Sequence, residues 1–339
     1  MKALEITKPG AARLVDRPEP TPAPGELLLR IHTVGYCGTD LSTYRGRNPL
    51  VTYPRIPGHE VAAVVEGLGE GVTGWNVGEQ VLVFPYTECG ACSSCLAGRP
   101  NCCKNNQTLG VQREGVLAEF ATIPAGKAMR AAGLGPRELA LVEPLTVGAH
   151  AVARGQVTAG ETVAVFGCGA IGLGAIAAAA YLGARVVAID VDDAKLDLAK
   201  ACGAAECVNS KRDDLAARLK ELTGGHGPAV VIEAVGLPAT FQAAVDLVAF
   251  AGRVVYIGYA KEPVAYETKW FVMKELDIRG SRNALARDFE QVIAMLAAGR
   301  VPTERIVTQE VSLAEAPAAL ANWDRAPGDV TKIHVRLSK

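Results

Sequence analysis

The rhythm of apolar and polar positions changes once along this chain. Over the first ~150 residues short alternating runs are broken by Gly and Pro, the period-2 pattern of half-buried strands. Segments 27–34, 61–68 and 80–84 predict strands, and the proline-rich segment 18–25 a turn. From Thr162 onward, compact apolar runs alternate with helical segments. Strands are expected at 162–167, 185–190, 206–209, 229–234, 253–259 and 276–280, with helices at 171–182, 193–202 and between most of the others. Six strands joined by crossover helices describe a doubly wound parallel sheet. After about residue 285 the pattern gives a helix at 288–298 and then short strands, a tail too small to fold alone that should rejoin the first domain.

Length agrees with this division, since 339 residues is long for a single core. Thirty-five basic against thirty-six acidic side chains leave no basic block to neutralise phosphates, which argues against nucleic acid as a partner. The N-terminus lacks a charged segment leading into an apolar stretch, so no signal peptide is expected. The most apolar run, 171–182, is too short and glycine-broken to span a bilayer. Nine cysteines without a secretory signal favour metal ligation over disulfides, and hence a cytoplasmic protein.

Cys89, Cys92, Cys95 and Cys103 follow a C-x2-C-x2-C-x7-C spacing on a Gly- and Pro-rich lobe at about 86–106. Four thiolates so spaced can close a tetrahedron around one zinc ion, and a closed site holds a loop rather than doing chemistry. Cys102 adjoins the last ligand as a spare thiol; Cys168, Cys202 and Cys207 read as packing residues. A second constellation is more dispersed. Cys37, in Gly-Tyr-Cys-Gly-Thr-Asp, and His59, in Gly-His-Glu, offer a thiolate and an imidazole for a catalytic zinc with an open position. Glu60 and Glu143 are both candidates for the carboxylate slot.

Gly167-Cys-Gly-Ala-Ile-Gly172 is G-x-G-x-x-G directly after a strand and at the opening of a helix. Gly167 allows the tight turn, Gly169 admits the pyrophosphate, and Gly172 lets helix and strand pack closely. Ala170 and Ile171 open the helix whose free N–H groups meet the anion. Asp190 ends the next strand, where its carboxylate can take the ribose hydroxyls of NAD and repel a 2′-phosphate.

In this order, the Cys37-Gly-Thr-Asp stretch, Gly58-His59-Glu60, the four-cysteine lobe, Glu143-Pro144-Leu145 and the glycine loop resemble the zinc-dependent medium-chain dehydrogenases/reductases over essentially the whole chain. The Glu-Pro-Leu motif, where alcohol dehydrogenases carry a cysteine ligand, is similar to the polyol and sugar-acid branch (sorbitol, galactitol, L-gulonate and L-galactonate dehydrogenases). The resemblance implies an α/β architecture: a GroES-like catalytic domain at 1–148 and 286–339, interrupted by an NAD-binding Rossmann domain at 149–285. It implies one catalytic zinc held by Cys37, His59 and Glu60, with Glu143 assisting or exchanging as a ligand, and one structural zinc on the four cysteines. Thr39 is then placed to accept a hydrogen bond from the substrate hydroxyl and start proton release. Ser42 stands where many relatives carry a relay histidine, which leaves the proton exit open. The implied reaction is oxidation of a secondary hydroxyl of a small polyhydroxylated substrate by NAD, in a homodimer or homotetramer. Tyr44 and Arg282 are candidate substrate contacts, Arg282 for a carboxylate; His150 reads as structural or a cofactor neighbour. Threonine or an aminocyclitol is the alternative substrate, although threonine dehydrogenases usually carry the histidine missing at Ser42. A catalytically silent nucleotide-binding relative is the alternative outside enzymes.

Overall fold

The computed structural model describes residues 1–337, which form two compact units, residues 1–143 with 303–337 and residues 144–302. The first unit begins with an antiparallel pair, β1 (Lys2–Lys8) and β2 (Ala11–Asp16). β3 (Glu26–Tyr36), β4 (Glu60–Leu68), β5 (Gln80–Val83), β6 (Phe120–Pro124) and β7 (Ala128–Met129) follow. The second unit contributes β8 (Thr162–Phe166), β9 (Arg185–Asp190), β10 (Glu206–Asn209), β11 (Val230–Glu233), β12 (Arg253–Tyr256) and β13 (Asp277–Gly280). β14 (Val307–Ser312) and β15 (Lys332–Arg336) then return to the first unit.

In the first unit a seven-stranded sheet runs β14-β15-β3-β4-β5-β7, with β6 paired to β3. β3 is its spine, and the alternation read from the sequence buries Leu27, Leu29 and Ile31 on one face against Ile333 and Val335 of β15 and Val65 of β4. The tail supplies β14 and β15 to the sheet of the first unit. It also contains a helix, Ala316–Arg325, that the sequence pattern did not announce. Its Ala316, Ala319, Leu320 and Trp323 pack into the same core, and the Tyr36 hydroxyl donates to the Ala316 carbonyl at 2.9 Å.

The second unit is a six-stranded all-parallel sheet of order β10-β9-β8-β11-β12-β13, the 3-2-1-4-5-6 order of the doubly wound dinucleotide fold. Its strands read as continuous apolar runs because helices cover both faces. The first ~150 residues are less purely β than their pattern implied, since a helix of 19 residues spans Pro136–Arg154 with Pro144 inside it. The unit boundaries fall at 143/144 and 302/303 rather than at 148/149 and 285/286. The later shift has a physical cause in the helix Ala286–Ala297. Asp288 Oδ2, on that helix, lies 2.8 Å from His150 Nδ1, a buried pair internal to the second unit. His150 is thus a structural tie.

Candidate metal centres and dinucleotide cradle

The cysteine lobe gathers its ligands over fifteen residues. Cys92 caps the short helix Ser93–Leu96, and a 3-10 turn at Pro100–Cys102 delivers Cys103. Cys92 Sγ lies 3.5 Å from Cys95 Sγ and 3.8 Å from Cys103 Sγ, and all four sulfurs fall within 4.8 Å of one another. A tetrahedron with Zn–S bonds of about 2.3 Å has sulfur–sulfur edges of about 3.8 Å, whereas a disulfide would bring two sulfurs to about 2.05 Å. None of the nine cysteines, all among the described residues, forms a disulfide. The protonation pattern points the same way. The Ser94 hydroxyl, with neighbouring backbone N–H groups, pulls the Cys92 thiol down to about 5, while burial beside Cys92 and Cys103 pushes Cys95 up to about 11. Thiolates this close cannot all ionise without a cation, and a divalent ion removes the conflict. Cys102 stands outside the group, against Arg99.

The second centre is assembled from distant segments of the first unit. Cys37 follows β3 and caps the helix Gly38–Tyr44, and Glu60, which opens β4, follows His59 directly. One ligand atom from each of Cys37, His59 and Glu60 lies within 4.8 Å of the others. Gly35 makes the approach possible: a Cβ there would sit 2.0 Å from Glu60 Oε2. Asp40, which the sequence reading passed over, accepts from the Cys37 N–H at 2.9 Å and fixes that end of the helix. Thr39 places its hydroxyl 3.6 Å from Cys37 Sγ.

These groups fit a divalent cation. His59 is buried and its Nδ1 has no hydrogen-bond partner; Asp40 Oδ1, also buried, has none. Burial opposes a charged His59 ring, but Cys37, Glu143 and Asp40 outweigh it and hold the pKa well above the ordinary histidine value. Burial likewise raises the carboxyls of Asp40 and Glu143. Anionic groups therefore crowd a space that has not enough positive charge, which a metal would supply. Glu143 lies outside the three-ligand group and receives the Tyr86 hydroxyl on Oε1. The fixed cation is Lys332 on β15. Its Nζ donates to Glu60 Oε1 at 2.6 Å, to Oε2 at 2.7 Å and to the Tyr36 carbonyl at 3.0 Å. Burial works against its charge, yet Glu60, Cys37 and Glu143 keep its pKa above the ordinary lysine value. No sequence signal could have found Lys332, because 272 residues separate it from Glu60.

In the second unit the glycine loop joins β8 to the helix Ala170–Tyr181. Gly167 has φ +91, and a Cβ on Gly172 would sit 1.8 Å from the Gly167 carbonyl oxygen, so both positions need glycine. A Cβ on Gly169, at the helix cap, would meet nothing within 4 Å, so it would fill the space a pyrophosphate approaches. Asp190 Oδ2 accepts from Cys168 N at 2.7 Å, and Oδ1 from Val191 N and Asp192 N at 2.7 and 3.1 Å. The carboxylate is thus held at the loop by three backbone donors. Glu233, at the end of β11, accepts from the N–H groups of Val235 and Gly236 at 2.9 and 2.8 Å and orders the neighbouring crevice loop.

The candidate substrate residues are not gathered in this way. Tyr44 is only 8% exposed and packs in the hydrophobic core of the first unit. Arg282 follows β13 and is exposed. No helix among the described residues is long and apolar enough to cross a membrane.

A dinucleotide sheet, a closed four-thiolate lobe and a buried thiolate–imidazole–carboxylate group together define a zinc-containing dehydrogenase. Comparison with known proteins agrees. Residues 23–133 match the alcohol dehydrogenase GroES-like domain and residues 170–298 the zinc-binding dehydrogenase domain. The L-galactonate-5-dehydrogenase of Escherichia coli K12 is 34% identical over 93% of this chain and 92% of its own. The L-threonine 3-dehydrogenase of Bacillus subtilis 168 is also 34% identical, over 93% of each. The crystal structure of the alcohol dehydrogenase rspB from Escherichia coli CFT073, complexed with NADH, superposes with a TM-score of 0.92 at 32% identity over 99% of both chains. The chain belongs to the zinc-containing medium-chain dehydrogenase/reductase family, in the branch of polyol, sugar-acid and threonine dehydrogenases. It is an NAD-dependent zinc dehydrogenase acting on a CH–OH group.

Proposed function

We propose that the substrate is a polyol or sugar acid of the L-gulonate or L-galactonate kind, oxidised at a secondary hydroxyl with NAD as acceptor. The observation that carries this reading is the carboxylate-rich metal centre, in which Glu60 and Glu143 stand beside Cys37 and His59. The similarity to a galactonate dehydrogenase over nearly the full length supports it.

When bound, zinc supplies Lewis acidity toward the substrate hydroxyl and NAD supplies the hydride acceptor. Cys37, His59 and Glu60 would hold the metal, with Asp40 fixing the Cys37 backbone and Lys332 orienting Glu60. Thr39, beside Cys37 Sγ, would accept a hydrogen bond from the substrate hydroxyl and start proton release. With Ser42 in the relay position, the proton would leave through water, Glu60 or Glu143, the last of these oriented by Tyr86. Gly167, Gly169, Ala170, Ile171 and Gly172 cradle the pyrophosphate, and Asp190 takes the ribose hydroxyls. Arg282, exposed and forked, suits a substrate carboxylate; Tyr44, mostly buried, would act only through its edge. The chain works as a cytoplasmic homodimer or homotetramer.

The test is NAD reduction by zinc-loaded enzyme across hexonates, pentitols, hexitols and threonine. Turnover of hexonates or polyols at least tenfold above threonine upholds the proposal. Preference for threonine replaces it with the amino-alcohol reading, which the similarity to a threonine dehydrogenase favours.

A further inference from the structure

Tyr86 touches both metal centres of the first unit at once. It lies three residues before Cys89, the first ligand of the cysteine lobe, and its hydroxyl donates to Oε1 of Glu143. Its ring is buried and meets Phe84 edge-on, with centroids 5.3 Å apart at 88°. Glu143 is buried as well. Burial opposes a charge on the His59 ring and Cys37 favours it; Glu143 adds to the favourable side, so its carboxylate stands within electrostatic reach of the Cys37 centre. The packing at residue 86 asks for a ring, and the hydroxyl adds the bond to Glu143.

How far that hydroxyl reaches depends on where the backbone of residue 86 is held, and the lobe holds it. After β5 the chain runs out along 85–89, turns through the lobe and returns along 103–109. The two stems are tied on both sides of Tyr86. On one side Leu109 N donates to the Pro85 carbonyl at 3.2 Å. On the other, Thr87 N donates to Asn106 Oδ1 at 3.2 Å and Gln107 N donates to Thr87 Oγ1 at 2.7 Å. Asn106 N in turn donates to the Cys103 carbonyl at 3.2 Å, and Cys89 N to Cys103 Sγ at 3.4 Å. Cys89 and Cys103, members of one four-thiolate group, thus clamp the outer end of the stems.

We propose that Tyr86 is a positioning residue that pins Glu143 beside Cys37 and His59, and that the cysteine lobe keeps Tyr86 in place, so that the lobe supports the buried centre as well as its own loop. The proposal rests on the reading of Glu143 as a member of that centre. Outer-shell partners of this kind are worth about 10–100-fold in metal affinity or activity.

Zinc competition decides it, on the full chain with both sites loaded and a fluorescent zinc chelator as competitor. In Tyr86→Phe the buried centre should release its ion at tenfold or more lower chelator concentration while the lobe keeps its own. Its kcat should fall by a similar factor, with KM within about twofold of wild type. Thr87→Val cuts the tie to Gln107 and should speed amide exchange over 84–89 and 103–109. It should also loosen the buried ion severalfold, an effect that disappears when Thr87→Val is made in the Tyr86→Phe background. Additive losses in that double variant would overturn the link to the lobe. Glu143→Gln separates the two ways of failing. If it loosens the buried ion and Tyr86→Phe does not, Tyr86 is a plain core residue and the proposal is overturned, with Glu143 still a member of the centre. If Glu143→Gln holds the ion as tightly as wild type, the reading of Glu143 fails and the proposal with it.

Discussion

The two metal centres are built from the same donor chemistry to opposite ends. The lobe takes four thiolates from fifteen consecutive residues, one of them, Cys89, exposed, and closes its coordination sphere with sulfur alone. The Cys37 centre draws on residues 37, 40, 59, 60, 143 and 332, buries nearly all of them, and leaves Nδ1 of His59 and Oδ1 of Asp40 unpartnered. Local ligands with one kind of donor make a staple. Distant ligands of mixed charge, held under strain of desolvation, make a site whose electrostatics a metal and a substrate complete.

The sharpest way to break this comparison is His59→Ala. Turnover should fall by more than about 1,000-fold, about 4 kcal/mol of barrier, while NAD binding measured by fluorescence is unchanged. Turnover within tenfold of wild type would mean that the chemistry lies elsewhere. Lys332→Met comes next. It strands the Glu60 carboxylate in a buried setting, and denaturant unfolding of the metal-free protein should show a loss of about 3–5 kcal/mol. Zinc should restore part of that stability, since the ion replaces the missing charge; equal losses with and without zinc would leave Lys332 a plain structural residue.

Asp40→Asn keeps the shape but removes the charge facing His59. Metal affinity at the buried centre should drop about 10–100-fold in a chelator competition, with the lobe unaffected. The smallest effect concerns His334. Its folded pKa of about 3 lies below its ordinary value of 6.5, because burial and the charges of Lys332 and Arg137 oppose protonation. The unfolded chain therefore binds the extra proton first, and stability present above about pH 6.5 is lost as pH falls toward 3. In His334→Asn the slope of unfolding free energy between pH 4 and 6 should be shallower by about 1.4 kcal/mol per pH unit. An unchanged slope would show that the ring is not held neutral.

The same contrast explains what the sequence could and could not reveal. The lobe, the glycine loop and strands such as β9 and β10 are written in contiguous residues, so spacing and period carry them fully. The Cys37 centre was legible only in part. Cys37, His59 and Glu60 sit in recognisable short motifs, but Lys332, Tyr86 and the role of Asp40 depend on which strands become neighbours. β15 lies beside β3, and that places Lys332 on Glu60. The helix Pro136–Arg154 escaped notice because Pro144 and Gly148 interrupt its pattern and would weaken it as an isolated segment; tertiary packing overrides them. The helix Ala316–Arg325 was hidden in a tail rich in Ala, where strand and helix periods are hard to separate.

The most direct test of two separate centres is zinc per chain by mass spectrometry, measured alongside turnover, in wild type, Cys103→Ser and His59→Ala. The account predicts two ions in wild type and about one in each variant, with residual turnover in Cys103→Ser below its unfolding temperature and none in His59→Ala. Two ions retained in either variant, or turnover surviving His59→Ala, would contradict it.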